Sequence, residues 1–255
     1  MKPILEVEDL WLAYRVSRRR HQSLKAAILN SLRGRGMGET TNYEALRGVS
    51  FTLGRGEVMG VCGRNGGGKS SLLRALAGIQ RPTRGTIIAR GRIGSILTLT
   101  GGFHPESTGR DNVYLSCLLM GLSPREAAER MEAILEFAEL GDFLDAPVRT
   151  YSTGMRARLG FAIAAHLEAD ALLVDEILSV GDAGFERKCE RWLQERLGAG
   201  ASMVLVSHDL EAIRRLCHRA LWLDQGQVRL AGPAEEVIAE YRAYFQATAT
   251  AEAAS

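Results

Sequence analysis

The sequence predicts an α/β fold: a parallel-sheet core, strands near its N-terminus, and a helical lobe inserted into the middle. Three observations carry this. A short apolar strand, residues 57–62, runs straight into a glycine-rich loop and then a helix. Two further apolar runs, 171–174 and 203–206, end in polar residues, as strands buried on both faces do. Between the loop and these runs, residues 107–166 are helical in pattern.

Taken in order, residues 4–14 mix apolar and charged side chains at strand spacing, and a basic stretch, 17–38, follows. Residues 45–53 and 57–62 read as short strands punctuated by glycine. A helix continues over 72–77 and stops near Gly78. Ser123-Pro124-Arg125-Glu126 is a helix start, with proline at the first position and an acid in the first turn. Met131, Ile134, Leu135 and Ala138 then fall at helical spacing. The low-complexity segment 246–255 is expected to be a flexible tail.

Composition narrows the class. With 255 residues and 46% apolar content, the chain can bury a substantial core in one domain carrying an inserted lobe. A net charge of +2 argues against a surface built for nucleic acid, so no such partner is expected. Cys62, Cys117, Cys189 and Cys217 are widely spaced with no CxxC pair, which suits reduced core thiols rather than zinc or a disulfide framework. The N-terminus carries acids where a signal peptide needs an apolar stretch. No segment reaches the roughly 18 apolar residues of a membrane helix, so any membrane role is expected to run through a partner.

Residues 63–70 fit G-x-x-x-x-G-K-[ST]. Gly63, Arg64, Asn65, Gly66, Gly67 and Gly68 supply a backbone whose N–H groups can curl around phosphate oxygens. Lys69 reaches the β- and γ-phosphates, Ser70 ligates Mg²⁺, and the following helix offers its positive end to the anion. The strand before and helix after set this apart from a plain flexible turn. The run at 171–174 then delivers Asp175 and Glu176 to the carboxyl edge of a buried strand, where α/β sheets bind ligands. Asp175 can hold Mg²⁺, and Glu176 can orient and deprotonate a water. By itself such an acidic strand end is commonly a strand entering a polar loop; its weight comes from the phosphate loop upstream. His208, just past the next strand, can reach a γ-phosphate from the same edge, although a lone histidine is usually structural.

Tyr151-Ser152-Thr153-Gly154-Met155-Arg156, at the start of a helix, resembles the signature motif of ABC ATPases. Ser152 and the N–H groups opening that helix make a second anion site, which one chain cannot easily apply to the nucleotide held by its own phosphate loop. The resemblance spans residues 4–231 and implies a P-loop NTPase (RecA-like) parallel-sheet core with N-terminal antiparallel strands and an inserted helical subdomain, about 103–168. On this reading residues 1–245 form a single ABC nucleotide-binding domain. It implies a head-to-tail homodimer holding two ATP with Mg²⁺ between copies. Residues 63–71, including Ser71, then look like the Walker A loop, Asp175 the Walker B aspartate, Glu176 the base, residues 179–182 with Asp182 the D-loop, and His208 the switch histidine. Tyr14 is placed like the aromatic that stacks on adenine, with Tyr43 its rival. Three positions depart from the family pattern: Thr98 stands where a glutamine or glutamate is usual, Thr153 replaces the first signature glycine, and Met155 the usual glutamine.

Residues 102–112, 151–158 and 174–182 resemble the branch that exports O-antigen, capsule or teichoic acid. That implies an ATP-hydrolysing motor on the cytoplasmic face of the membrane, with a permease partner and a lipid-linked glycan substrate. The rival reading is a soluble ABC ATPase acting as an ATP-gated clamp or scaffold; an unrelated P-loop kinase leaves residues 151–156 and His208 unexplained. In the basic insertion, about 17–42, six cations (Arg18, Arg19, Arg20, Lys25, Arg33, Arg35) oppose only Glu39, and Leu24, Ile28 and Leu32 recur every four residues. This suits an amphipathic helix at a lipid interface as well as it suits a solvated charged loop. Neutralising Arg18, Arg19 and Arg20 is expected to impair export in cells, and unchanged export would discard the interface reading.

Overall fold

In a computed structural model of the chain, the structure describes residues 2–17, 40–95, 102–175 and 182–253. The basic insertion beyond its edges, Thr98, Glu176 and Ser179 lie outside the described residues. The core sheet has six strands in the order β5 (Ile93–Ser95), β6 (Ala171–Val174), β7 (Ser202–Val206), β3 (Val58–Cys62), β8 (Arg219–Asp224) and β9 (Gln227–Pro233). All neighbours run parallel except β9, which pairs antiparallel with β8.

The unbroken apolar runs have a direct cause. Alternate residues serve two separate cores, because side chains along a strand point to opposite faces. Met59, Val61, Leu173, Val204 and Val206 face one core, shared with α1 (Lys69–Leu76) and a second, antiparallel sheet. Val58, Cys62, Leu172, Met203 and Leu205 face the other, closed by α5 (Ala183–Gly198), α6 (Leu210–Leu216) and α7 (Ala234–Ala253). The second sheet is β2 (Thr40–Leu53), β1 (Leu5–Ser17) and β4 (Arg84–Ala89), so the N-terminal strands are antiparallel as expected.

The helical lobe contains α2 (Gly109–Leu119), α3 (Pro124–Ala138) and α4 (Thr153–Ala165) around its own core of Val113, Ile134, Leu144 and Leu159. Ser123 and Glu126 form the capping box that starts α3, with Pro124 in the first turn. Thr108 and Asp111 do the same for α2. The lobe meets the core at an aromatic joint. Phe161 of α4 is 2% exposed, its ring centroid 6.0 Å from Phe137, 6.2 Å from Phe185 and 5.4 Å from Trp192. Lys188 reinforces the joint, donating to the Phe137 carbonyl at 3.0 Å and to the Glu139 carboxylate at 2.6 Å.

All four cysteines are free and buried, and burial pushes the Cys62 thiol up to about 11 and those of Cys189 and Cys217 to about 12. They are uncharged packing residues at neutral pH. At the C-terminus the backbone of α7 is helical to Ala253, through most of the segment expected to be a flexible tail. Alanine has the highest helix propensity, and the helix is already nucleated on the core before that point. No helix among the described residues is long and apolar enough to cross a membrane.

Phe161→Ala is expected to destabilise the fold by about 3–5 kcal/mol, the cost of emptying a buried aromatic site, read as a lowered denaturant midpoint.

Candidate functional site

The strand register brings the candidate residues to one edge. Val61 pairs with Val206, and Val174 with Leu205, so β3, β6 and β7 end level with one another. Beyond those ends lie the phosphate loop, Asp175 and His208. Asp175 and His208 line one cavity of about 280 Å³, bounded by Glu186 and Glu190 of α5 and by Arg215 of α6.

The loop is shaped by close backbone contacts. A Cβ on Gly63 would lie 2.1 Å from the Leu223 carbonyl oxygen, so only glycine fits there. Gly68, with φ +106, caps α1, and a Cβ on it would lie 2.7 Å from the Ala45 carbonyl oxygen. The loop closes on itself, with Gly67 N–H donating to the Arg64 carbonyl at 3.0 Å. No side chain caps the start of α1, so its first N–H groups are left facing the loop. Arg64, Asn65, Gly66 and Ser70 are exposed.

Lys69 is 9% exposed, and its ammonium donates to the Gly63 and Arg64 carbonyls at 2.6 and 3.0 Å. Burial lowers its pKa, while the Asp175 carboxylate favours its charged form. Burial raises the pKa of Asp175, opposed first by Lys69 and then by Arg74. Each charge therefore offsets the other's desolvation. A site with a buried cation, a half-buried carboxylate, a hydroxyl at Ser70 and open helix N–H groups suits a polyphosphate with a hard cation.

Tyr14 lies beside the loop, its hydroxyl donating to Ser71 Oγ at 3.3 Å. Tyr43 is its register partner on β2 and is 55% exposed. The two rivals for the adenine-facing role thus sit on one pair of strands.

The signature segment belongs to the other lobe. Ser152 caps α4, its hydroxyl accepting from Met155 N–H at 3.1 Å, and Thr153 is exposed beside it. Gly154 is half-buried. Behind it Tyr151 is buried, and its hydroxyl donates to the Phe143 carbonyl at 2.5 Å. Asn112, 2% exposed, explains part of the distinctive 102–112 stretch. Its amide donates to the His104, Ser107 and Thr108 carbonyls, and its oxygen accepts from His104 N–H at 2.7 Å. Asp182 caps α5 by accepting from Gly184 and Phe185 N–H, which holds its carboxyl below the usual aspartate range. Arg158 of α4 donates to the same carboxylate at 2.5 Å, tying α4 to the start of α5.

Sequence reasoning missed the outer wall of the loop. The β8–β9 hairpin supplies the Leu223 carbonyl against Gly63, and Gly226 N–H donates to the Gly67 carbonyl at 2.9 Å. Arg47 donates from Nε to the Gln225 carbonyl at 3.1 Å. Gln225 and Gly226 both have positive φ, and this Gln-Gly pair was the available signal for a tight hairpin. Arg158 carried no signal, because its partner is 24 residues away.

Gly63→Ala is expected to reduce nucleotide affinity at least about tenfold, since a Cβ inside van der Waals contact must displace the loop backbone. Titration with a fluorescent ATP analogue would measure this, and wild-type affinity would refute the close-packing account.

Residues 46–179 match the ABC transporter family. The O-antigen export system ATP-binding protein RfbB of Klebsiella pneumoniae is 40% identical over 242 residues, 95% of this chain and 98% of that protein. The teichoic acids export ATP-binding protein TagH of Lactococcus lactis subsp. lactis is 41% identical over 216 residues, 85% of this chain and 46% of that protein. A solved structure of a dimeric ATP-binding cassette in a post-hydrolysis state, bound to ADP and Pi, superposes with a TM-score of 0.69 at 21% identity. That match covers 90% of this chain and 98% of the other, a likeness of fold. The P-loop NTPase architecture with its helical subdomain stands, and the chain belongs to the ABC transporter family as an ATP-hydrolysing subunit.

Proposed function

We propose that this chain is the motor of an exporter for a lipid-linked polysaccharide of the O-antigen, capsule or teichoic-acid type. In this reading two copies work head to tail, docked on a membrane permease at the cytoplasmic face. The observation that carries it is the placing of the anion-binding features. Lys69, Asp175 and His208 share one sheet edge, whereas Ser152 caps a helix of a separately packed lobe. A second copy is the natural source of a signature segment for that edge. Relatives whose names declare O-antigen and teichoic acid export support the substrate class.

ATP phosphates would be received by the N–H groups of residues 63–71, with Lys69 exchanging the Gly63 and Arg64 carbonyls for β- and γ-phosphate oxygens. Tyr14 or Tyr43 would face the adenine. Ser70 and Asp175 are hard oxygen donors suited to Mg²⁺, which when bound would offset charge on the transferred phosphoryl group. Glu176 would orient and deprotonate the attacking water, and His208 would contact the γ-phosphate. Ser152, Thr153, Gly154 and Asp182 of the second copy would close the site. The Arg158–Asp182 tie would let closure move the helical lobe and the D-loop end together. On that lobe Leu119 is 81% exposed, with Leu115 and Met120 beside it, an apolar surface a permease would cover. The clamp or scaffold reading has no comparable observation behind it.

Lys69→Ala is expected to weaken ATP binding roughly 10- to 100-fold, the loss of charge-assisted hydrogen bonds. Glu176→Gln should keep binding and lose about 10²–10⁴-fold in turnover; full steady-state hydrolysis would refute its role as base. Tagged in its native cell, the chain should co-purify with a stoichiometric integral membrane protein, and recovery of cytosolic proteins alone would favour the clamp.

A further inference from the structure

The phosphate loop is braced by the C-terminal helix, through a loop side chain, Arg64, held on an aromatic ring outside the loop. Trp222 precedes Leu223 on β8 and is buried under α7, its ring centroid 5.2 Å from Tyr241, 5.3 Å from Tyr244 and 6.1 Å from Phe245. Phe245 is itself packed on Tyr241 at 4.8 Å and Tyr244 at 5.0 Å. The Arg64 guanidinium lies over the Phe245 ring, 5.5 Å from its centroid.

Arg64 is the pivot of the loop. Its carbonyl accepts from both Gly67 N–H and the Lys69 ammonium, each at 3.0 Å. Its side chain is directed outward onto an aromatic platform that the core holds through Trp222. The same strand also meets the loop from behind, through the Leu223 carbonyl. The helix and the loop are thus joined at backbone and side chain by one strand.

We propose that Phe245 is a positioning residue for ATP binding, acting through Arg64, so that the C-terminal helix tunes nucleotide affinity. This rests on the reading that residues 63–71 hold the phosphates. A loop already held in shape loses less freedom when phosphate binds. Releasing Arg64 removes that advantage at the binding step, whereas Asp175 and His208 follow two other strands, β6 and β7. The effect therefore falls on KM and leaves kcat. A cation–π contact at an exposed site corresponds to about two- to fivefold in an equilibrium.

Phe245→Leu keeps an apolar side chain on the helix and removes the π face, while Phe245→Tyr retains it. In the full chain, Phe245→Leu is expected to raise KM for ATP, and Kd for a fluorescent ATP analogue, about two- to fivefold. The kcat should be unchanged, and Phe245→Tyr should restore affinity. In an Arg64→Gln background, Phe245→Leu should add nothing. Unchanged affinity in Phe245→Leu, with or without a lowered Tm, would make Phe245 a packing residue and overturn the proposal. An undiminished effect in the Arg64→Gln background would overturn the route through Arg64. Lys69→Ala serves as the control: if it leaves affinity intact, the loop reading fails and takes this proposal with it; if it abolishes binding while Phe245→Leu is neutral, only the positioning role fails.

Discussion

The backbone of Gly63 lies against the carbonyl of Leu223, closer than any side chain permits, and this contact joins the phosphate loop to the strand behind it. On that strand's other side Trp222 is sealed by the aromatics of the C-terminal helix. The hairpin that follows returns Gly226 to the Gly67 carbonyl. The loop has few side chains of its own with which to hold a shape. Its conformation is imposed by neighbouring backbone, so a glycine-rich segment stands ready instead of being ordered only on binding.

Electrostatics set the second constraint. An ammonium as buried as that of Lys69 is costly without partners. Here two carbonyls and the nearby Asp175 carboxylate share the task. Neither group can be neutralised without leaving the other less well compensated, which favours keeping both at the strand ends. An incoming anion can then take over donors already directed at the loop, a preorganised arrangement of the kind that serves charge stabilisation well.

The helical lobe is packed as a unit of its own and is tied firmly to the core. It has its own apolar cluster, yet Phe161 inserts among Phe137, Phe185 and Trp192, and Arg158 and Lys188 tie it to α5. Asp182 receives both helix N–H groups and Arg158. The first turn of α5 and the helix that Ser152 caps are therefore linked through two residues, Asp182 and Arg158.

Much of this was legible in the chain. Residues 63–71, the apolar runs ending in Asp175 and His208, and the Ser123 start of α3 each carry local signals: glycine spacing, strand patterning and capping chemistry act over a few residues. The wall made by Leu223 and Gly226, the Arg158–Asp182 tie and the Arg64–Phe245 contact did not, because each joins residues 24 to 181 positions apart by backbone approach or side-chain geometry. Local sequence thus determined which segments become strands, helices and an anion-binding loop. The tertiary structure alone decided what holds that loop in shape, since only packing brings distant backbone carbonyls and aromatic faces to within a few ångströms.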